Sequence, residues 1–512
     1  MQPPPQADAH DLCGATGSPF GPFDLQAYEH GDYKNAYART MDLAGFNGLF
    51  PELPSFALPP LETAGRDAAS AQTAPPYIPP VILKAIGWIE SGWAQADYSV
   101  PYGGIGGVLA SHDCGYGIMQ ITSGMQNVSG VPSLDQAMIG GHYAFNIARG
   151  ARILADKWNM APEWRPIVGN REANLIENWY YALWGYNGFA FKNHPLNADY
   201  QGARPPFSCA PDGDGFGHDR SQYPYQELIL GCAGRPPLRS GTALWPAQEL
   251  HLPDLSDAAF AQPLRLENWS PCSHDLQCAP MDIPTPNTNH TDPALASATR
   301  TQVLGAPALA VSPPALTLST DGAQNPSATL TITNSGSSLL AWRATASAPW
   351  LRVSRFQGIA LGADLGATAM EMTVSVDAAA LPADGGTAAV TFESLYAAGA
   401  PAAVQVTVYR APPPPPSAVW GDVDCLDGVN IGDAQKTARA LIGLPLEAGP
   451  SCPRIGEQIM VDGTPRLWGD MDCGGAANIG DAQKLARLLI GLAAGQAADC
   501  PAAGSAVELA RP

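Results

Sequence analysis

The sequence predicts a multidomain protein: a mainly α region first, a β-sandwich in the middle, and a small α domain of paired loop–helix units at the end. Three observations predict it. Apolar residues recur at helical spacing in the region 75–235. Short runs of alternating polar and apolar residues follow from about 306. A loop-plus-helix segment then occurs twice, at 420–444 and 468–492. A chain of 512 residues is too long for one core. The boundaries read as an N-terminal extension (1–74), a helical domain (75–235), an irregular segment and linker (236–305), a β-sandwich (306–410), a proline linker (411–419) and the repeat pair (420–505).

Composition narrows the function classes. Formal net charge is −20, and no Lys/Arg cluster provides the basic face a nucleic-acid binder needs. No apolar run is long enough to span a membrane. The first residues, MQPPPQADAH, show no basic region followed by an apolar one, so no signal peptide is visible. Ten cysteines make an even set.

Taken in order, residues 27–41 (AYEHGDYKNAYARTM) suit a helix, and PELPSFALPPLE suits an extended cover. Pro79-Pro80 opens a helix, since proline is tolerated in a first turn. Ile82, Ile86 and Glu90 are four apart and share a face, and Ser91-Gly92 ends the helix. A carboxylate on an apolar face loses solvation and holds its proton more tightly, as a general acid near neutral pH must. Spacing alone equally allows Glu90 to reach solvent from the helix end.

Three further pieces follow: GYGIMQIT (115–122), a turn; NIARGARILADKW (146–158), a helix; and WYYALWGYNG (179–188), an apolar helix ending in Tyr-Asn-Gly. Together E-S-G, G-Y-G-I-M-Q, G-A-R-I-L and A-L-W-G-Y-N-G resemble the soluble-type lytic transglycosylases and the goose-type lysozymes, over residues 78–190. The resemblance implies a lysozyme-like catalytic domain with Glu90 as the acid/base. It implies that Gly117, Met119 and Gln120 line a sugar groove, closed opposite by Tyr186 and Asn187. Two departures stand out: a long gap carrying YGGIGGVLASHDC, expected to loop over the groove, and Trp184-Gly185 where small residues are usual.

The second carboxylate decides between hydrolysis and transglycosylation. Goose-type hydrolases carry an Asp shortly after Met-Gln, where this chain has Thr122; Asp113 is the one candidate near a family aspartate. A lytic transglycosylase needs no such partner. The resemblance implies that its glutamate protonates the glycosidic oxygen, that the N-acetylmuramic acid assists, and that the same glutamate then deprotonates the 6-hydroxyl. The reading is therefore a peptidoglycan lytic transglycosylase. The alternatives are a muramidase or chitin-type hydrolase, and a non-catalytic wall-binding or assembly protein.

Between 191 and 305, Asp212, Asp214 and Asp219 alternate with glycines but lack the spaced glutamate of a full calcium loop, so a polar turn is expected. YPYQELILGC (223–232) suits a closing helix. Cys209 is expected to pair with Cys232 and Cys272 with Cys278, leaving Cys13 for Cys114 by arithmetic. In the sandwich region, TITNSGSSLLAWRATASAPWLRVS resembles the BACON-type immunoglobulin-like domains, a family proposed to bind carbohydrate or to act as a spacer. Trp342 and Trp350 are expected in its core.

PPPPP (412–416) makes a stiff linker. Beyond it, WGDVDCLDGVNIGDAQKTARALIGL matches WGDMDCGGAANIGDAQKLARLLIGL. Asp422, Asp424, Asn430 and Asp433, and again Asp470, Asp472, Asn478 and Asp481, fall at places 1, 3, 9 and 12 of a twelve-residue loop. Such alternating oxygen ligands converge on Ca²⁺. This duplication closely resembles the dockerin type I repeat, which implies docking to a cohesin-type scaffold partner; a partner within the same chain is the alternative. Place 5 departs from the family, being Leu426 or Gly474; Asp427, displaced by one, can substitute in the first loop, and the second is expected to bind calcium more weakly. Cys425 and Cys452 are spaced as Cys473 and Cys500 are. Pairing each set ties a loop to the end of its own helix and places the protein in an oxidising compartment, extracellular or periplasmic.

Overall fold

The computed structural model describes residues 25–62, 73–126, 129–164, 167–168, 171–188, 191–195, 197, 199–200, 204–210, 219–253, 282–283, 299–320, 324–410, 418–449 and 452–510. Cys13, Cys272, Cys278, residues 211–218, the stretch 284–298 and the proline linker 411–417 lie outside them. The chain forms two compact units: residues 1–316 with 328–375 and 388–405, and residues 317–327 with 376–387 and 406–512.

In the first unit the helical region is built from α1 (Tyr33–Gly45), α2 (Pro80–Ser91), α3 (Leu134–Gly141), α4 (Tyr143–Trp164), α5 (Tyr180–Tyr186) and α6 (Tyr225–Gly234), with the short α7 (Arg300–Leu304) preceding the sandwich. Pro80 stands in the first turn of α2 and Gly92 ends it at φ +63°. A Ser133/Gln136 capping box starts α3. Helix α2 packs between α1 and α6. Ile82, Leu83, Ala85 and Ile86 are fully buried, and Lys84 is neutralised by Asp42 of α1 at 2.6 Å. The segment expected as one helix over 27–41 divides. Strand β1 (Gln26–Tyr28) pairs antiparallel with β2 (Ile105–Gly107), so α1 starts only at Tyr33. Leu25, Tyr37, Met41, Phe50, Phe56 and Leu61 belong to the same core as α2 and α4, so the extension is part of this domain rather than a cover on it.

The sandwich strands are β3 (Leu309–Ser312), β4 (Ala315–Ser319), β5 (Ser327–Asn334), β6 (Leu339–Ala346), β7 (Leu351–Val353), β8 (Gln357–Leu361), β9 (Ala369–Val376), β10 (Gly386–Glu393) and β11 (Ala402–Tyr409). They form a five-stranded sheet, β4-β11-β10-β6-β8, and a four-stranded one, β7-β9-β5-β3. Trp342 and Trp350 are buried, Trp342 edge-on to Phe392, so they serve packing as expected.

Within the first unit the β6–β8 face is not free. Leu339, Ala341, Ile359 and Leu361 join the core of the helical region, with α3 lying on β6 and β8. Gln357, almost wholly buried, exchanges hydrogen bonds with the Gln26 backbone: Gln26 N donates to its Oε1 (2.7 Å) and its Nε2 donates to Gln26 O (3.0 Å). Arg343 donates from Nε to Pro132 O at 2.8 Å and pairs with Glu393 at 2.9 Å. The Tyr396 ring packs on His142 and Phe145. The Gln357 and Arg343 hydrogen bonds make the seam specific as well as apolar.

In the second unit, residues 418–510 form their own small domain. Strand β12 (Ala418–Val419) pairs with β15 (Ala506–Val507), and β13 (Gln458–Val461) lies between β14 (Thr464–Leu467) and β16 (Leu509–Ala510). Helices α8 (Ile431–Leu441) and α9 (Ile479–Leu489) pack on each other. Trp420 meets Trp468 edge-on at 5.7 Å within a core that includes Leu485, Val507 and Leu509. Those last two residues carry the domain past the expected end at 505. Among the described residues no helix is long and apolar enough to cross a membrane.

Candidate active site and candidate metal loops

Glu90 stands one residue before the end of α2, partly buried. Burial raises its carboxyl pKa to about 7; the Tyr225 hydroxyl, Arg220 and Lys192 pull it down and Asp113 pushes it up. Tyr225 Oη donates to Glu90 Oε1 at 2.5 Å across 135 residues of sequence. Glu90 therefore holds its proton up to near neutrality, and the Tyr225 phenol stabilises its ionised form.

The neighbouring turn is fixed by buried side chains. Ser91 Oγ donates to Ile118 O at 2.9 Å and ties the end of α2 to the turn. Gln95 Oε1 accepts from Ile118 N, and Asn146 accepts from Met119 N and donates to Tyr116 O. Gly117 has φ +68°, and a Cβ there would lie 2.4 Å from Asn146 Nδ2 and 2.7 Å from Gln95 Oε1. Only glycine meets both conditions.

The sequence-derived groove residues fall into two groups. Met119 is fully buried and packs under Gly150, and Gly117 is buried against Gln95 and Asn146. Neither presents a side chain to solvent. Gln120 is partly exposed and folds back, donating to Gly117 O at 2.7 Å. Tyr186 and Asn187 are partly exposed. Tyr186 Oη donates to Met119 O at 2.8 Å and its phenol feels the Glu90 charge, which places it beside the acid. Asn187 Oδ1 accepts from Asn193, which also accepts from Tyr225 N and so joins α5 to α6. Trp184 points into the core, stacked on Tyr181 and edge-on to His194. Asp113 is exposed and accepts from Ser111 Oγ at 2.5 Å.

Tyr225, Asn193, Arg220 and Tyr98 were not foreseen from sequence. Tyr225 lies in an apolar helix whose aromatics read as core, and no local spacing links it to Glu90. Cys209–Cys232 forms as expected and anchors α6. Cys114 is disulfide-bonded; its expected partner, Cys13, is outside the described residues.

Carboxylate oxygens of Asp422, Asp427 and Asp433 lie within 4.8 Å of one another, as do those of Asp470, Asp472 and Asp481. Asp422 is 6% exposed and its Oδ1 is buried without a hydrogen-bond partner. All the donors are hard oxygens, and an orphaned carboxylate oxygen aimed into such a cluster fits Ca²⁺. Asn430 and Asn478 cap α8 and α9 in capping boxes with Asp433 and Asp481. Asn430 Nδ2 donates to Asp427 Oδ1 at 2.8 Å. Asp424 stands outside the first carboxylate cluster, paired with Lys436; in the second loop Asp472 pairs with Lys484 while remaining in the cluster. Both expected disulfides, Cys425–Cys452 and Cys473–Cys500, are present.

Comparison with known proteins finds a family match in the middle of the chain. Residues 308–406 match the family described as the viral BACON domain, in agreement with the BACON-type resemblance there. No curated protein sequence matches the chain. Similar solved structures include the PapD-like domain 7 of human CEP192 (14% identity, TM-score 0.16, 20% of this chain and 83% of that one). A Bacteroides ovatus GH5 xyloglucanase complex gives 19% identity and TM-score 0.15, over 25% of each chain. The periplasmic chaperone SfaE gives 11% identity and TM-score 0.18, over 22% of this chain and 66% of that one.

Proposed function

We propose that this protein is a secreted peptidoglycan lytic transglycosylase, extracellular or periplasmic, whose C-terminal domain binds calcium and docks to a cohesin-type partner. One observation carries the enzyme reading: a single half-buried carboxyl, poised near neutrality, hydrogen-bonded by Tyr225 and flanked by Tyr186. Protonated Glu90 donates to the glycosidic oxygen as the C1–O4 bond between N-acetylmuramic acid and N-acetylglucosamine breaks. The 2-acetamido group supports the developing cation. The Glu90 carboxylate then removes the proton of the 6-hydroxyl, whose oxygen bonds to C1 and leaves a 1,6-anhydro end. Proton count is conserved, and Glu90 finishes as it began. Tyr225 steadies the anion between the two transfers.

Asp113 favours a second reading, a muramidase, because its charge reaches Glu90 and a hydrolase needs a base for water. Digestion of purified peptidoglycan with wild type and Glu90→Gln, followed by mass spectrometry, separates the readings. Anhydro ends that vanish in Glu90→Gln support the transglycosylase; ends heavier by one water indicate the muramidase. Retained wall binding with no product from wild type rejects both and leaves a non-catalytic wall-binding protein.

For the tail, Asp422, Asp427 and Asp433, with Asp424 and Asn430, would hold one Ca²⁺; Asp470, Asp472 and Asp481, with Asn478, would hold the other. Bound calcium would relieve the repulsion among these carboxylates and fix the loop that starts each helix. Ile431, Ile442 and Leu444 and their repeats Ile479, Ile490 and Leu492 are exposed, which gives a docking partner two equivalent apolar surfaces.

A further inference from the structure

We propose that Tyr98, Arg220 and Lys192 form a subsite beside Glu90 that takes a carboxylate carried by the glycan next to the scissile bond. This deepens the enzyme reading and rests on it for the location of the cut. Two backbone carbonyls flank Glu90. Ile89 O accepts from Arg220 Nη2 at 2.6 Å, and Ser91 O accepts from Tyr98 Oη at 3.1 Å. A guanidinium and a phenol from distant segments thus bracket the acid. Both remain open to solvent: Tyr98 is 48% exposed, and Arg220 is exposed.

A helix-capping role for Arg220 would use one of its five N–H donors. Neither Arg220 nor Lys192 forms an ion pair with a described residue, although the chain carries 47 acidic residues against 27 Lys and Arg. Arg220 and Tyr98 meet the backbone on either side of Glu90, and the charges of Arg220 and Lys192 both favour the ionised Glu90 carboxylate. In a protein of net charge −20, two cations beside the acid that pair with no described residue select for an anion rather than repel it. A guanidinium offers a planar fork to a carboxylate, and a half-exposed tyrosine offers its face to a sugar ring. Tyr98 sits in the long segment after Gly92, so the extra loop supplies a substrate wall.

The carboxylate has two chemical sources on peptidoglycan: the lactyl group of the sugar and the stem peptide. The test uses the full chain carrying Glu90→Gln, with or without Arg220→Gln, pelleted with three insoluble forms of the wall: intact, stripped of peptide so that lactyl carboxylates are free, and with all carboxyls converted to amides. Arg220→Gln is expected to weaken binding about ten-fold where the recognised carboxylate is present, and to leave binding to the amide form little changed. Weakening on stripped strands assigns the lactyl group; weakening on intact wall alone assigns the peptide. Equal weakening on all three forms, or none on any, overturns the subsite. Lys192→Gln reads the same charge without touching the end of α2, and Arg220→Lys restores part of the preference, so a loosened helix cannot mimic the result. Product masses from wild type are scored separately: carboxylate-dependent binding without cleavage sinks the enzyme reading and leaves the subsite standing.

Discussion

At Glu90, burial holds the proton on and the Tyr225 hydroxyl draws it off. Removing the hydroxyl in Tyr225→Phe leaves burial unopposed on that side, so the carboxyl titrates above its wild-type value of about 7. In the proposed reaction cleavage needs the protonated acid first, so the alkaline limb of the pH–rate profile should move upward while the maximal rate falls by about ten-fold. An unmoved limb would show that Tyr225 does not bear on the acid. Stability gives an independent reading of the same group. The folded carboxyl titrates above the unfolded one, so folding is penalised only where the unfolded state has already ionised. The penalty is absent below about pH 4.5, grows between there and about 7, and is complete above. Glu90→Gln should therefore leave Tm unchanged at pH 4 and raise it at pH 8, read by calorimetry at both. Sequence made Glu90 visible because its motif is local. It hid Tyr225 and Arg220 because the contacts that matter close over more than a hundred residues of chain.

The loop–helix elements were the most legible part, since a twelve-residue loop encodes its ligand set in consecutive positions. Structure adds which carboxylates converge. Asp427 clusters with Asp422 and Asp433 although Leu426 stands at place 5, while the second loop, with Gly474 there, clusters Asp470, Asp472 and Asp481. With Asp424 nearby, the first loop commands four. Affinity rises with ligand charge, so calcium titration of the full chain should show two sites, with Asp433→Ala removing the tighter and Asp481→Ala the weaker. A single event, or equal losses from the two variants, would contradict this ranking. Helix α2 teaches the opposite lesson. Its apolar face was plain, but Gly117 and Met119 were assigned to the groove from the order of motifs alone. Both are buried, and Gln95 and Asn146 occupy the space where a side chain at 117 would go.

At the scale of the molecule, alternation told that the middle region is a sandwich but not that one face is spoken for. The clue was there in Leu339-Leu340-Ala341-Trp342, four apolar residues in succession where a half-exposed strand alternates; all four are buried. One side faces the sandwich interior and the other the helical core, through Ala341, Gln357 and α3. The sandwich thereby shares a core with the helical region. Gly141 measures the fit: a Cβ there would come within 2.7 Å of Gln357 Nε2 and 3.1 Å of Ala341 Cβ. Gly141→Leu forces the seam apart and exposes apolar surface on both sides, at a cost of about 2 kcal/mol or more. In a calorimetric scan, the wild-type helical region and the sandwich should unfold together, since neither can expose that face alone, and Gly141→Leu should lower and split that transition. The domain at 418–510, with its own core around Trp420 and Trp468, should respond instead to calcium and to reduction of its two disulfides. A helical transition unmoved by Gly141→Leu would return the sandwich to the role of a spacer, because the shared face would then carry no stability.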